Sequence, residues 1–225
     1  MDKLFLKAFV SLAVIAGGAS AQAQENVGAV EKIQQDGFQV IGARQGQGSP
    51  MDVGGPVFMK SRVYTKDYGS IDIRFRDDTT LTVAPKSSIR INNFVFSGEK
   101  PRLVVHLGQG AMRFISGRMP SRSYRLRSAV VHVGVRGTDV WMRRAGRELM
   151  EIWVDDGAVV AAPVNSNEQF RLDAPAYAQC DTVECRTGDA PPRPVSFPAD
   201  PRGGGGTEGP GEGGDGGHGG GEGRE

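Results

Sequence analysis

Short runs of alternating apolar and polar residues recur along most of this chain, without a convincing amphipathic helix among them. Ile71, Ile73 and Phe75, for example, alternate with charged residues, which is the pattern of a half-buried strand. Asp77 and Asp78 are predicted to form a turn, in which an Asp tolerates positive φ, and Thr80–Val83 to return as the next strand. Strand signals at intervals of roughly eight to twelve residues predict an all-β domain.

Further strands are predicted in two groups. A first β-like stretch covers residues 25–47, and strand signals resume from Val57. The later predicted strands are residues 88–92, 94–96, 102–107, 111–115, 124–126, 130–133, 140–143, 150–154, 158–161 and 168–172. Asp155-Asp156-Gly157 is interpreted as a hairpin turn, because it lacks the remaining ligands of a twelve-residue calcium loop.

One segment, residues 129–141, reads AVVHVGVRGTDVW and carries glycines inside a strand pattern. Glycine weakens a strand, so Gly134 and Gly137 predict a bulge or a close approach of two backbones. At Gly137 we expect an unusual φ and a site from which a Cβ is excluded.

This string resembles the signature of the FecR family, the sensor domain of iron-dicitrate transport regulators. Three further segments match in order, at residues 77–83, 107–114 and 154–159, and the resemblance covers residues 59–162. It implies short strands stacked in a coil-like or sandwich-like domain. In characterised relatives the domain relays the state of an outer-membrane transporter to a sigma factor. This chain is expected to depart from them, since neither a cytoplasmic segment with a spanning helix before the domain nor a folded module after it is predicted.

The motif residues Gly134, Arg136, Gly137 and Thr138 are interpreted mainly as structural. In that interpretation Arg136 is buried or half-buried and binds backbone carbonyls of neighbouring turns. The alternative is a fixed guanidinium that binds a carboxylate on a partner.

Residues 1–23 resemble a cleaved signal peptide: Lys3 and Lys7 precede an apolar stretch of twelve residues and two Ala-x-Ala sites. A membrane-spanning helix needs about 20 apolar residues, so no transmembrane segment is predicted in the mature chain. The predicted location is therefore the periplasm or the exterior. In such an oxidising compartment Cys180 and Cys185 are expected to form a local disulfide.

Charge is balanced overall, with 27 basic and 26 acidic residues, but it is unevenly distributed. Residues 102–147 contain ten arginines and one acidic residue, whereas residues 148–225 contain five arginines and fifteen acidic residues. The basic stretch is either a solvated face or a surface for an anionic partner, with Arg113, Arg118, Arg122, Arg125 and Arg127 as its residues. Export argues against nucleic acid, so the expected partner is an envelope protein or an anionic envelope polymer.

Five regions are predicted: the signal peptide (1–23), an N-terminal β extension (24–58), the FecR-like domain (59–162), an extended Pro- and Asp-rich segment with the cysteines (163–202) and a disordered acidic, Gly-rich tail (203–225). His106, His132 and His218 have no recognisable partner acid or nucleophile, and no catalytic, metal or cofactor motif occurs. The sequence predicts a non-enzymatic sensing or protein-interaction module in envelope signalling. The alternative is an envelope protein that binds anionic glycan or lipid through its Arg-rich face.

Overall fold

The computed structural model of the protein describes residues 24–34, 37–41 and 48–191, so the predicted signal peptide and Gly-rich tail lie outside the described residues. These residues form sixteen strands and one short 3-10 helix, η1. The elements are β1 (Asn26–Gln34), β2 (Gly37–Ile41), β3 (Ser49–Pro50), β4 (Pro56–Phe58), β5 (Ser61–Thr65), β6 (Ser70–Phe75), β7 (Thr80–Val83), β8 (Ser88–Val95), β9 (Arg102–Gln109), β10 (Ala111–Ile115), η1 (Ser121–Ser123), β11 (Tyr124–Arg127), β12 (Val131–Arg144), β13 (Met150–Pro163), β14 (Phe170–Asp173), β15 (Ala176–Cys180) and β16 (Cys185–Thr187).

The all-β prediction is confirmed. The predicted hairpin turn at Asp155-Asp156-Gly157 is wrong, because β13 runs through it as one strand of fourteen residues. Val154 pairs with Val140 and Val159 pairs with Val135, so the flanks on both sides pair with the same strand, β12. The Asp-Asp-Gly segment therefore forms an irregularity in the pairing of two long strands, and Gly157 within it has a φ of +73°.

The strands belong to one sheet, in the order β3-β2-β5-β8-β9-β11-β12-β10-β7-β6-β1-β4. β12 pairs with β11 along its first half and with β10 along its second half. β13 lies on the other edge of β12, and it pairs in turn with β14 and with β15, which carries β16. The sheet therefore branches at β12 and β13, and it continues past residue 162 into the segment that was predicted to be merely extended.

The sheet curls around a common core. Phe75 on β6 and Phe94 on β8 are far apart in the strand order, yet their rings stack with centroids 5.6 Å apart. The turn after β4 joins the two arms, since Met59 N donates to Glu25 O and Lys60 N donates to Ile91 O. The buried apolar side chains of both arms consequently pack in a single cluster.

A buried polar network fixes the loop that follows β10. The Asp77 carboxylate is fully buried and accepts hydrogen bonds from Thr79 Oγ1 at 2.7 Å and from Tyr124 Oη at 2.8 Å. Tyr124 Oη accepts from Met119 N at 2.9 Å, and Arg118 N donates to Asp77 O at 2.7 Å. The adjacent Asp78 has a φ of +64°, as expected from the sequence for this turn. The turn between β6 and β7 thereby anchors residues 116–123 beside β12.

Among the residues that the structure describes, there is no helix of the length and apolar character needed to cross a membrane.

Candidate functional site

The Gly134-to-Thr138 motif lies on β12, at the branch of the sheet. The side chains of Val131, Val133 and Val135 are buried, whereas His132 and Arg136 are exposed and Gly134 lies between them on the same face. This alternation places the motif's polar groups on the outer surface of the sheet and its valines in the core.

Thr138, not Arg136, ties the neighbouring strands together. Thr138 Oγ1 donates to Ala158 O on β13 at 2.7 Å and accepts from Arg136 N at 3.2 Å. Two backbone groups of Thr138 bond to Ser116, one through its amide to Ser116 Oγ at 2.8 Å and one through its carbonyl to Ser116 N at 3.0 Å. Arg136 is exposed, so the expected burial of this side chain is not seen.

Gly137 has the positive φ that was expected, +61°. The expected exclusion of a Cβ there is wrong, because a Cβ built on Gly137 meets no atom within 4 Å. The close backbone approach occurs instead on the partner strand, where a Cβ on Gly157 would lie 1.8 Å from Gly137 O.

A cleft of about 900 Å³ opens on the outer face of β12. Its floor comes from β11, β12 and β13, and its rim comes from the segment around η1 and from the loop before β14. The lining residues are Pro120, Ser121, Arg122, Arg125, His132, Gly134, Val135, Arg136, Val160, Ala162 and Gln169. Its volume is in the range typical of small-molecule sites.

The cleft is cationic. Arg122, Arg125 and Arg136 are exposed, and no acidic residue is among the lining residues. Arg125 Nη1 donates to Arg122 O and to Tyr124 O, both at 2.9 Å, so its guanidinium is held in place by backbone carbonyls. The nearby Asp173 carboxylate has a lowered pKa, first because of its hydrogen bonds from Arg171 and also because of Arg136. With Asp173 already bound by Arg171, the cleft guanidinia can bind an external carboxylate or phosphate.

The five arginines of the predicted anionic-partner face do not lie together. Arg113 pairs with Asp139 at 2.6 Å, and both side chains are only 15% exposed. On β12, Arg113 lies opposite Trp141 and Arg125 lies opposite Gly134. These two positions are seven residues apart, which corresponds to roughly 23 Å along the strand. Arg118 pairs with Asp78 at 2.7 Å. Of that set, Arg122 and Arg125 line the cleft, and Arg127 is exposed on the same strand as Arg125.

His132 lines the cleft and His106 is half-buried on the outer face of β9. Burial lowers the pKa of His106, and the positive charges of His132, Arg127, Arg90 and Arg144 lower it further. Burial and Arg127 lower the pKa of His132 in the same way. The lowered pKa values favour the neutral form of both imidazoles at pH 7, which leaves the arginines as the fixed charges of this surface.

Cys180 Sγ and Cys185 Sγ lie 2.08 Å apart, at disulfide distance, where β15 meets β16. Within the described ranges, no three His, Cys, Asp or Glu residues are close enough to hold a metal ion. Sequence reasoning missed the rim residues Pro120, Ser121 and Gln169, which carry no motif and reach the cleft only through the fold.

Comparison with known proteins finds a family match and similar solved structures. Residues 61–160 match the family described as FecR protein. Two crystal structures of a candidate anti-sigma factor from Parabacteroides distasonis ATCC 8503, at 2.50 and 1.65 Å resolution, are similar, with 16% and 15% identity and a TM-score of 0.46 in both cases. Each similarity covers 57% of this chain, which spans only 59% of the other. No curated protein matches.

Proposed function

Since this chain is a FecR-domain protein, with the domain at residues 61–160, we propose that it is a non-enzymatic protein-interaction module in envelope signalling. The family supports a signalling or regulatory role in general terms. The observation that carries the finer proposal is the cationic cleft on the motif strand β12.

The cleft suits an acidic segment of a protein partner. Three arginines line it, and a planar guanidinium binds a carboxylate through two parallel hydrogen bonds. Gly134 lies between His132 and Arg136, where a Cβ would be 3.6 Å from Arg125 Nη1, while Val160 and Ala162 offer apolar contact. Such a combination of a few placed polar groups with apolar walls is common in recognition sites.

Site-specific photocrosslinking in cells tests this proposal. A photoreactive residue at Ser121 or Gln169, both on the rim, is expected to give the same single protein adduct. The adduct should disappear when Arg125 and Arg136 are changed to Ala. The matched control is the photoreactive residue at Gln179, an exposed position on β15 outside the cleft lining. Identical adducts from all three positions, or adducts that persist in the Arg variants, contradict a specific protein site.

Export of the chain is part of the proposal. The sequence of residues 1–23 supports it, and the Cys180–Cys185 pair at disulfide distance is consistent with an oxidising compartment. N-terminal sequencing of protein from an osmotic-shock fraction is expected to give a start near Gln22 or Gln24. Recovery only in membranes, with Met1 intact, would contradict cleavage.

The second candidate function is binding of anionic glycan or lipid through exposed arginines. It is favoured by the absence of an acidic residue from the cleft lining and from β11, which contributes Arg125 and Arg127. Sedimentation with purified cell envelopes is expected to fall steeply between low and physiological salt, because exposed charges are screened over roughly 8–10 Å. Salt-independent sedimentation, or none at low salt, contradicts this candidate.

A further inference from the structure

Five basic side chains form a row across five adjacent strands, β5, β8, β9, β11 and β12. The pairing register puts Arg62 opposite Arg90, Arg90 opposite His106, His106 opposite Arg127, and Arg127 opposite His132. We call these five residues the basic row. Adjacent strands are about 4.8 Å apart, so the row is roughly 19 Å long.

All members of the basic row point away from the core. Each is flanked on both sides along its strand by buried residues, such as Ile89 and Ile91 around Arg90 or Leu126 and Ser128 around Arg127. Arg62, Arg90, Arg127 and His132 are exposed, and His106 is half-buried. The row is therefore a surface feature of the curled sheet.

Arg62 and Arg90 are like charges directly opposite each other on neighbouring strands, which destabilises a sheet, and the imidazoles beside Arg90 and Arg127 offer no negative charge. Nothing in the described part of the chain neutralises this row: β5, β8, β9 and β11 contain no acidic residue, and the described residues provide no ion pair for Arg62, Arg90 or Arg127. Folding alone gives no reason for such an arrangement.

A second outward row of the same sheet shows how this protein balances charge elsewhere. There Lys32 lies opposite Asp72, Asp72 opposite Thr82, and Thr82 opposite Arg113. Thr82 Oγ1 donates to Asp72 at 2.6 Å, and Arg113 binds Asp139 through two nitrogens. Acidic residues thus accompany the bases in that row and are missing from the basic row.

We propose that the basic row binds a linear acidic glycan that lies across the strands, with its carboxylate or phosphate groups on Arg62, Arg90 and Arg127. This inference rests on the proposed export and gives the second candidate function a site that shares only His132 with the cleft lining. Arginine fits because its guanidinium binds either anion through two hydrogen bonds.

The shape of the row favours a chain over a membrane surface. Two positions along the chain from the row, Lys60 and Arg125 are the charged side chains, and the others are uncharged: Tyr64, Ser88, Asn92, Val104, Gly108, Ala129, Val130 and Gly134. A narrow row of charged side chains matches the shape of a linear polymer, whereas a lipid surface would contact charges spread in two dimensions.

Binding of fluorescently labelled polygalacturonate, a linear carboxylated glycan, to the full chain tests the proposal. At low salt we expect saturable binding that the triple variant R62Q/R90Q/R127Q weakens about tenfold, since three exposed charge contacts together contribute roughly one decade in Kd. The matched cleft variant R122Q/R125Q/R136Q should bind within about twofold of the native chain. Melting curves of both variants establish that they are folded.

Three further probes separate the alternatives. Dextran, a neutral glycan, should not bind. Polyglutamate and vesicles of phosphatidylglycerol and phosphatidylcholine should bind more weakly than polygalacturonate, and without dependence on the row. Absence of polygalacturonate binding, or an equal loss in the cleft variant, overturns the proposal. Row-dependent binding of the vesicles or of polyglutamate assigns the row to lipid or to acidic protein instead. The crosslinking outcome at Ser121 and Gln169 is unaffected by any of these results, so the two proposals fail separately.

Discussion

Gly157 on β13 packs directly against the backbone of Gly137 on β12. A Cβ at position 157 would lie 1.8 Å from Gly137 O and 3.0 Å from Arg136 O. Both glycines have positive φ, +73° and +61°. They occupy the irregular register between Arg136 and Asp139, where β12 changes partner from β11 to β10 and β13 changes partner from β14 to β15. This pair of glycines therefore forms the branch point of the sheet.

We expect Gly157→Ala to destabilise the domain far more than Gly137→Ala. Both substitutions force an alanine into positive φ, which costs about 1–2 kcal/mol. At position 157 the added methyl also collides with backbone, so the free energy of unfolding should fall by about 3 kcal/mol or more in total. At position 137 nothing lies within 4 Å of the methyl, so only the φ cost applies. Urea denaturation of the two variants compares them, and equal losses would contradict the close packing.

The strands were predictable from the sequence wherever apolar and polar residues alternate within one short segment. β7 and β10 have the bounds expected from their apolar–polar pattern, Thr80–Val83 and Ala111–Ile115. β15 and β16 were not predicted, because Pro, Asp and Thr around Cys180 and Cys185 are typical of loops, and pairing with β13 is what makes these residues strands. In these two strands, pairing within the sheet determines the secondary structure, although the local composition favours loops.

The candidate sites were less predictable than the fold. The sequence singles out Arg136 as a residue of interest, but whether its side chain is buried depends on neighbouring strands that its own sequence does not reveal. The basic row joins residues 62, 90, 106, 127 and 132, which no sequence window brings together. Only the register of five strands shows that these charges are neighbours.

Tyr124→Phe should destabilise the domain by about 1–3 kcal/mol, because it removes one donor from the buried Asp77 carboxylate and the acceptor of Met119 N. The matched control is Tyr68→Phe, since Tyr68 is 77% exposed. Chemical denaturation at pH 7 measures both. A loss no larger than that of Tyr68→Phe would mean that Asp77 finds a replacement donor.

The same tyrosine should contribute to alkaline unfolding. Burial, together with the Asp77 carboxylate, raises the pKa of Tyr124 to about 12 from the ordinary 10.0. The folded state therefore holds this proton more tightly, so the stability is present below pH 10 and is lost as the pH rises toward 12. The stability of Tyr124→Phe should fall less steeply across this range, and parallel curves for the two proteins would contradict the assignment.

Acid should destabilise the domain through His106 and His132. Their pKa values lie below the ordinary 6.5 in the folded state, because of burial first and of neighbouring positive charges second. The unfolded chain then binds more protons, so the stability present above pH 6.5 is lost as the pH falls through the folded pKa values. The double variant H106Q/H132Q should flatten the decline of melting temperature below pH 6.5. An unchanged slope would assign the acid sensitivity to the carboxylates.

Charge reversal within the basic row should stabilise the free protein. Arg127 lies between His106 and His132, with Arg90 one strand further along, so Arg127→Glu replaces repulsion by attraction. Cross-strand charge pairs contribute roughly 0.2–1 kcal/mol each, so a rise of that order in the free energy of unfolding is expected at low salt and below pH 6.5. The gain should shrink in 1 M NaCl, where the Debye length is about 3 Å.

Arg125→Glu is the matched control on the same strand. The cross-strand neighbours of Arg125, Val104 and Gly134, are uncharged, and the substitution removes two hydrogen bonds from the Arg125 guanidinium to backbone carbonyls. Denaturation curves in which Arg127→Glu is no more stable than the native chain, or gains no more than Arg125→Glu, would show that the row is not under electrostatic strain. The absence of acidic residues from these strands would then need no ligand to explain it.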